Sequence, residues 1–117
     1  MYEQGDILLI PFPFSDLSST KQRPVLVLSN SDNNRSRQDI LVAAITSNVL
    51  ERDYLIRLAP EDLEQGHLKV DSGIRADKIY TLSQKIVVKR FGTVNQTILT
   101  QVKVKLNQIL TEKEHIL

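Results

Sequence analysis

Gly5-Asp6-Ile7-Leu8-Leu9-Ile10-Pro11-Phe12, leading to Arg23-Pro24-Val25-Leu26-Val27-Leu28-Ser29, and the Ala44-Ile45-Thr46-Ser47 that ends the next apolar run decide the reading of this chain. Each is a short, near-continuous apolar segment bounded by polar residues, which is the pattern of a strand covered on both faces. The second segment carries an arginine at its entry and the third a threonine at its exit. An arginine entering a buried strand and a threonine leaving the neighbouring one are expected to meet in a single cleft, where a cation and a small hydrogen-bond donor suit a phosphodiester.

Working outward, Asp6 to Phe14 reads as a strand whose Pro11 and Pro13 mark an edge or bulge and a sharp bend. Residues 15–22 form a polar loop, Pro24 to Ser29 a second strand, and Asn30 to Gln38 a second polar loop, both loops expected to be mobile. Asp39 to Thr46 and Asp53 to Leu58 are the next strands. Pro60-Glu61-Asp62-Leu63-Glu64 suits a single helical turn, with proline early and acids near its positive end, closed by Gly66. Ile74 to Leu82 and a segment around Ile86 to Val94 complete about six strands, spaced for a small antiparallel barrel. The period then changes. From Asn95 as N-cap, Ile98, Val102, Leu106 and Ile109, with Leu99 and Leu110, share one helical face, so a terminal amphipathic helix is expected to pack on the barrel. The expected fold is mainly β with a C-terminal helix, one domain over residues 1–117.

The 117-residue length fits one core, and 41% hydrophobic with 25% charged residues is an ordinary globular composition. No stretch approaches the roughly 20 apolar residues of a membrane helix. Met1-Tyr2-Glu3-Gln4 runs into strand pattern with no signal-peptide features, and the expected location is the cytoplasm. The absence of cysteine removes disulfides, thiolate metal sites and cysteine nucleophiles, and His67 and His115 are too far apart in sequence to suggest a metal cluster, so neither metal nor cofactor is expected. A net charge of +1 decides nothing about polyanions. Local cationic groups stand at Lys21 with Arg23, Arg35 with Arg37, Lys85 with Lys89 and Arg90, and Lys103 with Lys105; each taken alone reads as a solvated surface.

The order of these motifs resembles the MazF/PemK/Kid family of type II toxin-antitoxin toxins over nearly the whole chain. Gly5-Asp6-Ile7 with Pro11-Phe12-Pro13-Phe14-Ser15-Asp16 resembles the family's first strand, Arg23 to Ser29 its second, Ala44-Ile45-Thr46-Ser47 its third, and Asp71-Ser72-Gly73-Ile74-Arg75-Ala76-Asp77-Lys78-Ile79-Tyr80-Thr81 its fifth. Gly-Asp and Arg-Pro dipeptides are common, but four such motifs in order before a terminal helix are specific. The resemblance implies an SH3-like barrel, a homodimer, and a ribosome-independent, sequence-selective endoribonuclease that cleaves single-stranded mRNA without metal and so inhibits translation and growth. It also implies an antitoxin whose disordered acidic tail blocks the RNA groove, and a toxin-antitoxin complex that binds DNA.

Metal-free cleavage by attack of the 2'-hydroxyl on its own phosphate needs a proton acceptor, a donor to the departing 5'-oxygen and a cation for the phosphorane charge. With both histidines away from the strand ends, arginine, threonine and carboxylate must serve. Arg23 has a fork that holds two phosphate oxygens, and Pro24 stiffens its backbone. An arginine before a strand is ordinarily a surface residue pairing with acids; the resemblance makes Arg23 the catalytic candidate. Thr46 is either a β-branched residue that suits a strand or, with Ser47 and Asn48 beside it, the family's catalytic hydroxyl. Arg75 and Asp77 share a strand face. In Kid-like toxins an arginine and an aspartate at this spacing act in catalysis, so Asp77 would take the 2'-proton while Arg75 shares the phosphate charge or donates to the leaving oxygen; the alternative is a structural Arg-Asp ion pair.

RNA contacts are expected from Ser19, Lys21 and Gln22 before the Arg-Pro, from Ser47 and Asn48 after Thr46, and from Lys78 and Tyr80, whose ring either stacks on a base or packs in the core. The chain departs from the family in three places. Ser19-Thr20-Lys21-Gln22 replaces a Glu-Gln-Gly-like stretch, Lys78-Ile79-Tyr80-Thr81 replaces Gln-x-Arg-Thr, and the first loop lacks the Kid-like histidine. Other readings are a gyrase-poisoning toxin of the CcdB family, which shares the barrel but acts through its terminal helix, a non-catalytic nucleic-acid or peptide-binding module, and an inert, degenerate toxin. A small barrel with an apolar first strand and a long helix also leaves edges that want cover, an independent hint of a two-fold dimer.

Overall fold

The computed structural model describes residues 1–11, 21–50 and 52–113. Its strands are β1 (Asp6–Pro11), β2 (Gln22–Val27), β3 (Asp39–Thr46), β4 (Leu55–Leu58), β5 (Leu63–Gly66), β6 (Ser72–Ser83) and β7 (Lys89–Val94), with helices α1 (Ser31–Ser36) and α2 (Gln96–Leu110). They form one seven-stranded sheet in the order β4-β6-β3-β2-β1-β7-β5, every pair antiparallel.

β3 keeps the bounds its sequence predicts. β1 does not behave as the edge that its prolines suggest, because it lies between β2 and β7. Pairing with β7 ends at Leu9↔Lys89, so Pro11, opposite Gln22 of β2, stands beyond the β7 ladder and its missing N–H costs nothing there. Pro24 is placed alike, opposite Leu9 but one residue before the β3 ladder begins at Val25↔Ala44. A bulge does occur against β1, but away from the prolines and on β7: the pairing passes from Ile7↔Gly92 to Leu8↔Arg90, leaving Phe91 as the extra residue. Residues 12–14 of the expected strand, and Ser19 with most of the first loop, lie outside the described residues.

Both faces of the sheet are apolar, which is why the runs in β1 to β3 are nearly continuous. Ile7, Leu26, Ala43, Ile45 and Ile74 face one side and join Ile56 and Leu58 of β4, Val94 of β7 and Ile98, Leu99 and Val102 of α2. Leu8, Ile10, Val25, Val27, Ile40, Val42 and Leu82 face the other. Strands from opposite halves of the order share the first cluster, so the sheet curls into the expected small barrel, left open between its edge strands β4 and β5. Burial is not complete along these runs: Ala44 is partly buried, and Leu41, inside the run expected to be covered on both sides, is 39% exposed.

Asn95 caps α2 as expected, its side-chain oxygen accepting from Ile98 N at 2.9 Å. The first turns of α2 pack on the barrel, and Leu106 is partly covered. Ile109 and Leu110, read as part of the same buried face, are exposed, because the last turn of the helix runs past the strands that cover the first.

Two further elements depart from the sequence reading. Within Asn30 to Gln38, expected to be a loop, Ser31–Ser36 is a helix, with Asn30 as N-cap accepting from Asn33 N at 2.9 Å. Its polar residues carry no apolar period because side-chain amides anchor it. Asn34, 2% exposed, donates to the Tyr2 and Ser29 carbonyls, both at 3.0 Å, and accepts from the Ser29 hydroxyl at 2.7 Å. Gln84 ties the same corner, accepting from Tyr2 N and donating to the Asn34 and Arg37 carbonyls. After a 3-10 turn at Pro60–Asp62, Leu63 to Gly66 is a strand rather than the rest of a helical turn. Gly66 therefore closes no helix; it sits at φ +92°, where a Cβ would collide with the Phe91 carbonyl.

Candidate functional site

Val25 of β2 lies opposite Ala44 of β3, and continuing that register by two residues brings Arg23 level with Thr46. On either side, Ile10 of β1 lies opposite Arg23 and Arg75 of β6 opposite Ala44. Side chains at alternate positions share a face, so Arg23, Thr46 and Arg75 converge on the face that carries Ile10 and Val25. There they line a cleft of about 260 Å³ with a floor of Ile10, Val25 and Ala44.

β6 brings its share through an irregularity. Its pairing with β3 jumps from Ala43↔Ile79 to Ala44↔Arg75, so Ala76, Asp77 and Lys78 are taken up in a bulge. Bulges re-aim side chains beside sites; this one separates Arg75 from Lys78 and Tyr80, all of which line the cleft. Tyr80 also packs against the second apolar cluster, which is the packing role expected as one of its two fates.

Thr46 Oγ1 accepts from Asn48 N at 3.0 Å, and Asn48 Oδ1 accepts from Leu50 N at 3.2 Å. These two short turns hold the chain as it leaves β3. A hydroxyl has two acceptor pairs and one proton, so this bond leaves the Thr46 O–H to donate. Thr46 lies opposite Gly73, where a side chain would come within 2.6 Å of Leu55 Cδ1.

Arg75 donates from Nε to Asp77 Oδ1 at 3.2 Å and from Nη2 to Oδ2 at 3.0 Å. This two-pronged bond raises the Arg75 pKa above its ordinary value and holds the Asp77 carboxyl below its own, against the opposing effect of burial. Asp77 thus meets Arg75 as the ion pair that formed the alternative reading, and the cleft wall itself is Arg75 rather than Asp77.

The described lining residues include four cations, Arg23, Arg52, Arg75 and Lys78, and no carboxylate. A chain of net charge +1 therefore concentrates positive charge at one place. Asn48 also lines the cleft. Lys21, Gln22 and Ser47 are exposed near it without lining it. Arg52 escaped the sequence reading, because Glu51-Arg52-Asp53 looks like a solvated charge cluster; its one signal is that it follows Thr46 by a short loop. Of the other cationic groups, Arg35 pairs with Asp32 at 2.6 Å and Arg90 with buried Asp6 at 3.5 Å. Among the described residues no three His, Asp or Glu side chains gather to hold a metal ion, and no helix is long and apolar enough to cross a membrane.

An open antiparallel barrel with a cationic cleft at the ends of β2 and β3 is the class that fold and site define. The chain belongs to the PemK-like, MazF-like toxins of type II toxin-antitoxin systems, whose family model matches residues 3–110. Among solved structures it is similar to an endoribonuclease in complex with its cognate antitoxin from a mycobacterial species (TM-score 0.76, 20% identity, covering 94% of this chain and 95% of that one). It is also similar to MazF of Deinococcus radiodurans (TM-score 0.73, 22% identity, 93% and 96% covered) and to the MazE-MazF complex of the same organism (TM-score 0.77, 20% identity, 93% and 95% covered). At such identities these likenesses speak for the fold. Among curated proteins no match reaches significance.

Proposed function

We propose that this toxin is a metal-independent, sequence-selective endoribonuclease of single-stranded RNA, with mRNA as its target in the cytoplasm. The reading rests above all on the register that sets Arg23 level with Thr46 in a cleft lined by four cations and no acid. The solved relatives described as endoribonucleases support it.

In this reading the scissile phosphate sits over Ala44. Arg23 holds two of its oxygens, and Thr46 donates to the oxygen on which charge accumulates. The 2'-oxygen bonds to phosphorus as the bond to O5' breaks, leaving a 2',3'-cyclic phosphate and a 5'-hydroxyl end. A phosphate that draws the Arg75 guanidinium to itself removes the hydrogen bond that depresses Asp77. The carboxylate regains basicity when substrate is present and takes the 2'-proton; Arg75 supplies a hydrogen bond to the departing oxygen as it gains a proton from solvent. Lys78, Asn48 and Tyr80 contact flanking nucleotides from the cleft, with Lys21, Gln22 and Ser47 exposed near it.

The toxin acts as a homodimer held in check by an antitoxin with an acidic tail. Exposed Leu41 and Ile79, diagonal neighbours on β3 and β6, support a partner subunit. The four cations attract an acidic segment by the same field that attracts RNA. The complex formed with antitoxin in a solved relative is consistent with this.

The test is to incubate wild-type protein and Arg23→Ala with a long mixed-sequence single-stranded RNA in EDTA and map the product ends. Discrete cuts by the wild type alone, with 5'-hydroxyl ends, carry the reading. No cuts by either folded protein across several RNAs reject it in favour of gyrase poisoning or a non-catalytic binding module.

A further inference from the structure

Beside the cleft, the connection from Thr46 to Leu55 leads to a second hollow, formed with β4 and α2. Its volume is about 480 Å³, and its lining is Val49, Arg52, Asp53, Leu55, Arg57 and Lys105. Arg52 lines both hollows, so they adjoin at that residue. Arg57 is exposed on edge strand β4, and Lys105 is half-buried on α2. Neither these two nor Arg52 takes part in an ion pair among the described residues, unlike Arg35, Arg75 and Arg90. Three cations therefore face one carboxylate, Asp53, which is itself in no ion pair among the described residues.

Charge left uncompensated in a concave surface, with Val49 and Leu55 between the cations, suits a polymer that alternates anionic links with flat apolar groups. We infer that the second hollow continues the substrate path and holds phosphates that flank the scissile one in single-stranded RNA, Arg52 standing at the junction and Arg57 and Lys105 taking the outer positions. This rests on the nuclease reading above. An RNA is favoured over an acidic polypeptide because a strand held by one phosphate at Arg23 must carry its next phosphates out of the cleft, and the path through Arg52 is lined with cations. The paired cations at Lys103 and Lys105 thus divide in role: Lys105 faces the hollow, and Lys103 is exposed outside its lining.

The test starts from a cut site mapped with long RNA and uses two synthetic RNAs, one spanning little more than the cut and one extended by several nucleotides on both sides. Wild type is expected to cleave the extended strand with a higher kcat/KM, by about tenfold at moderate salt, and the double variant Arg57→Gln/Lys105→Gln to lose that gain. Binding is read on the extended strand with a 2'-O-methyl group at the cut. There the slope of log affinity against log salt should fall by about 1.4, the value for two phosphate contacts on a single strand. Arg57→Lys with Lys105→Arg keeps the charges and should keep the length effect, and equal thermal midpoints show that the exchanges spare the fold. An unchanged length effect and salt slope in a variant of an active enzyme overturn this inference alone. A variant that loses affinity for polyglutamate but not for RNA overturns it in favour of an acidic protein partner. A wild type that neither cuts nor binds either RNA removes the nuclease reading and this inference together.

Discussion

The two faces of the sheet are built from alternate residues of the same strands, yet one is closed and the other ends in a site. Towards α2, Ile7, Leu26, Ile45 and Ile74 meet a helix that supplies Ile98, Leu99 and Val102, and the packing is apolar throughout. On the other face, Leu8, Val25 and Val42 form an equally dry centre, but no long helix covers it. Around Tyr2, which packs on it, a corner is tied by the amides of Asn34 and Gln84; elsewhere Ile10, Val25 and Ala44 become the floor of a cationic cleft. A side chain's place in the alternation of β3 thus decides between core and chemistry: Ile45 points to α2, and Ala44 and Thr46 flank it on the cleft side.

This contrast can be broken from either side. Ile74→Ala removes a side chain with no exposure from the closed face and should cost about 2–5 kcal/mol in denaturant unfolding. Cleavage per folded molecule should change little; a comparable loss of activity would mean that the faces are not separable. Thr46→Val keeps the β-branched shape and removes the hydroxyl. Cleavage should fall on the order of 10²-fold while the unfolding midpoint moves little, and Thr46→Ser should restore most of the rate. If valine cleaves as well as threonine, the hydroxyl has no place in the chemistry.

Smaller effects sharpen the picture. Asn34→Ala strands the Tyr2 and Ser29 carbonyls and the Ser29 hydroxyl, for an expected loss of about 1–3 kcal/mol, with faster hydrogen exchange confined to α1 and the N-terminus. The smallest change expected is at Asp77. Its folded-state pKa lies below the ordinary 3.8, so the pairing with Arg75 stabilises the fold above that value and its contribution fades as pH falls through the lowered one. With side chains 25% and 37% exposed, the pair is worth about 1 kcal/mol or less near neutral pH. The difference in midpoint between wild type and Asp77→Asn should be small at pH 7 and shrink as pH is taken below 3.8; a difference that grows on acidification would contradict the depressed pKa.

Legibility in the sequence followed the strength of the local signal. β3 and α2 were readable because a long apolar run and a capped 3.6-residue period leave few other ways to bury their side chains. α1 was not, since Asn34 is held by side-chain bonds to Tyr2 as well as to Ser29, and no local pattern announces a partner 32 residues away. β5 was missed for a related reason: its four residues become a strand through pairing with β7, from which the whole of β6 separates it in sequence. Within the site, Arg23 and Thr46 stood at strand ends that pattern and family resemblance both mark, and Arg75 inside a strand at a position marked by alternation and the resemblance. Arg52 lay in a loop whose course depends on tertiary packing.

By itself, the sequence determined which residues could be strands, where the long helix begins, which strand ends carry an arginine and a hydroxyl, and the toxin family those motifs resemble. Alternation and capping are local, and a reader of the chain has everything they require. Tertiary structure alone decided that Arg23 and Thr46 line one cleft, that a bulge of Ala76 to Lys78 turns Arg75 and Tyr80 into it, and that Arg52 lines both this cleft and a second hollow. Register, bulges and the meeting of distant loops depend on which strands pair, and pairing is settled by the burial of two apolar faces over the whole sheet.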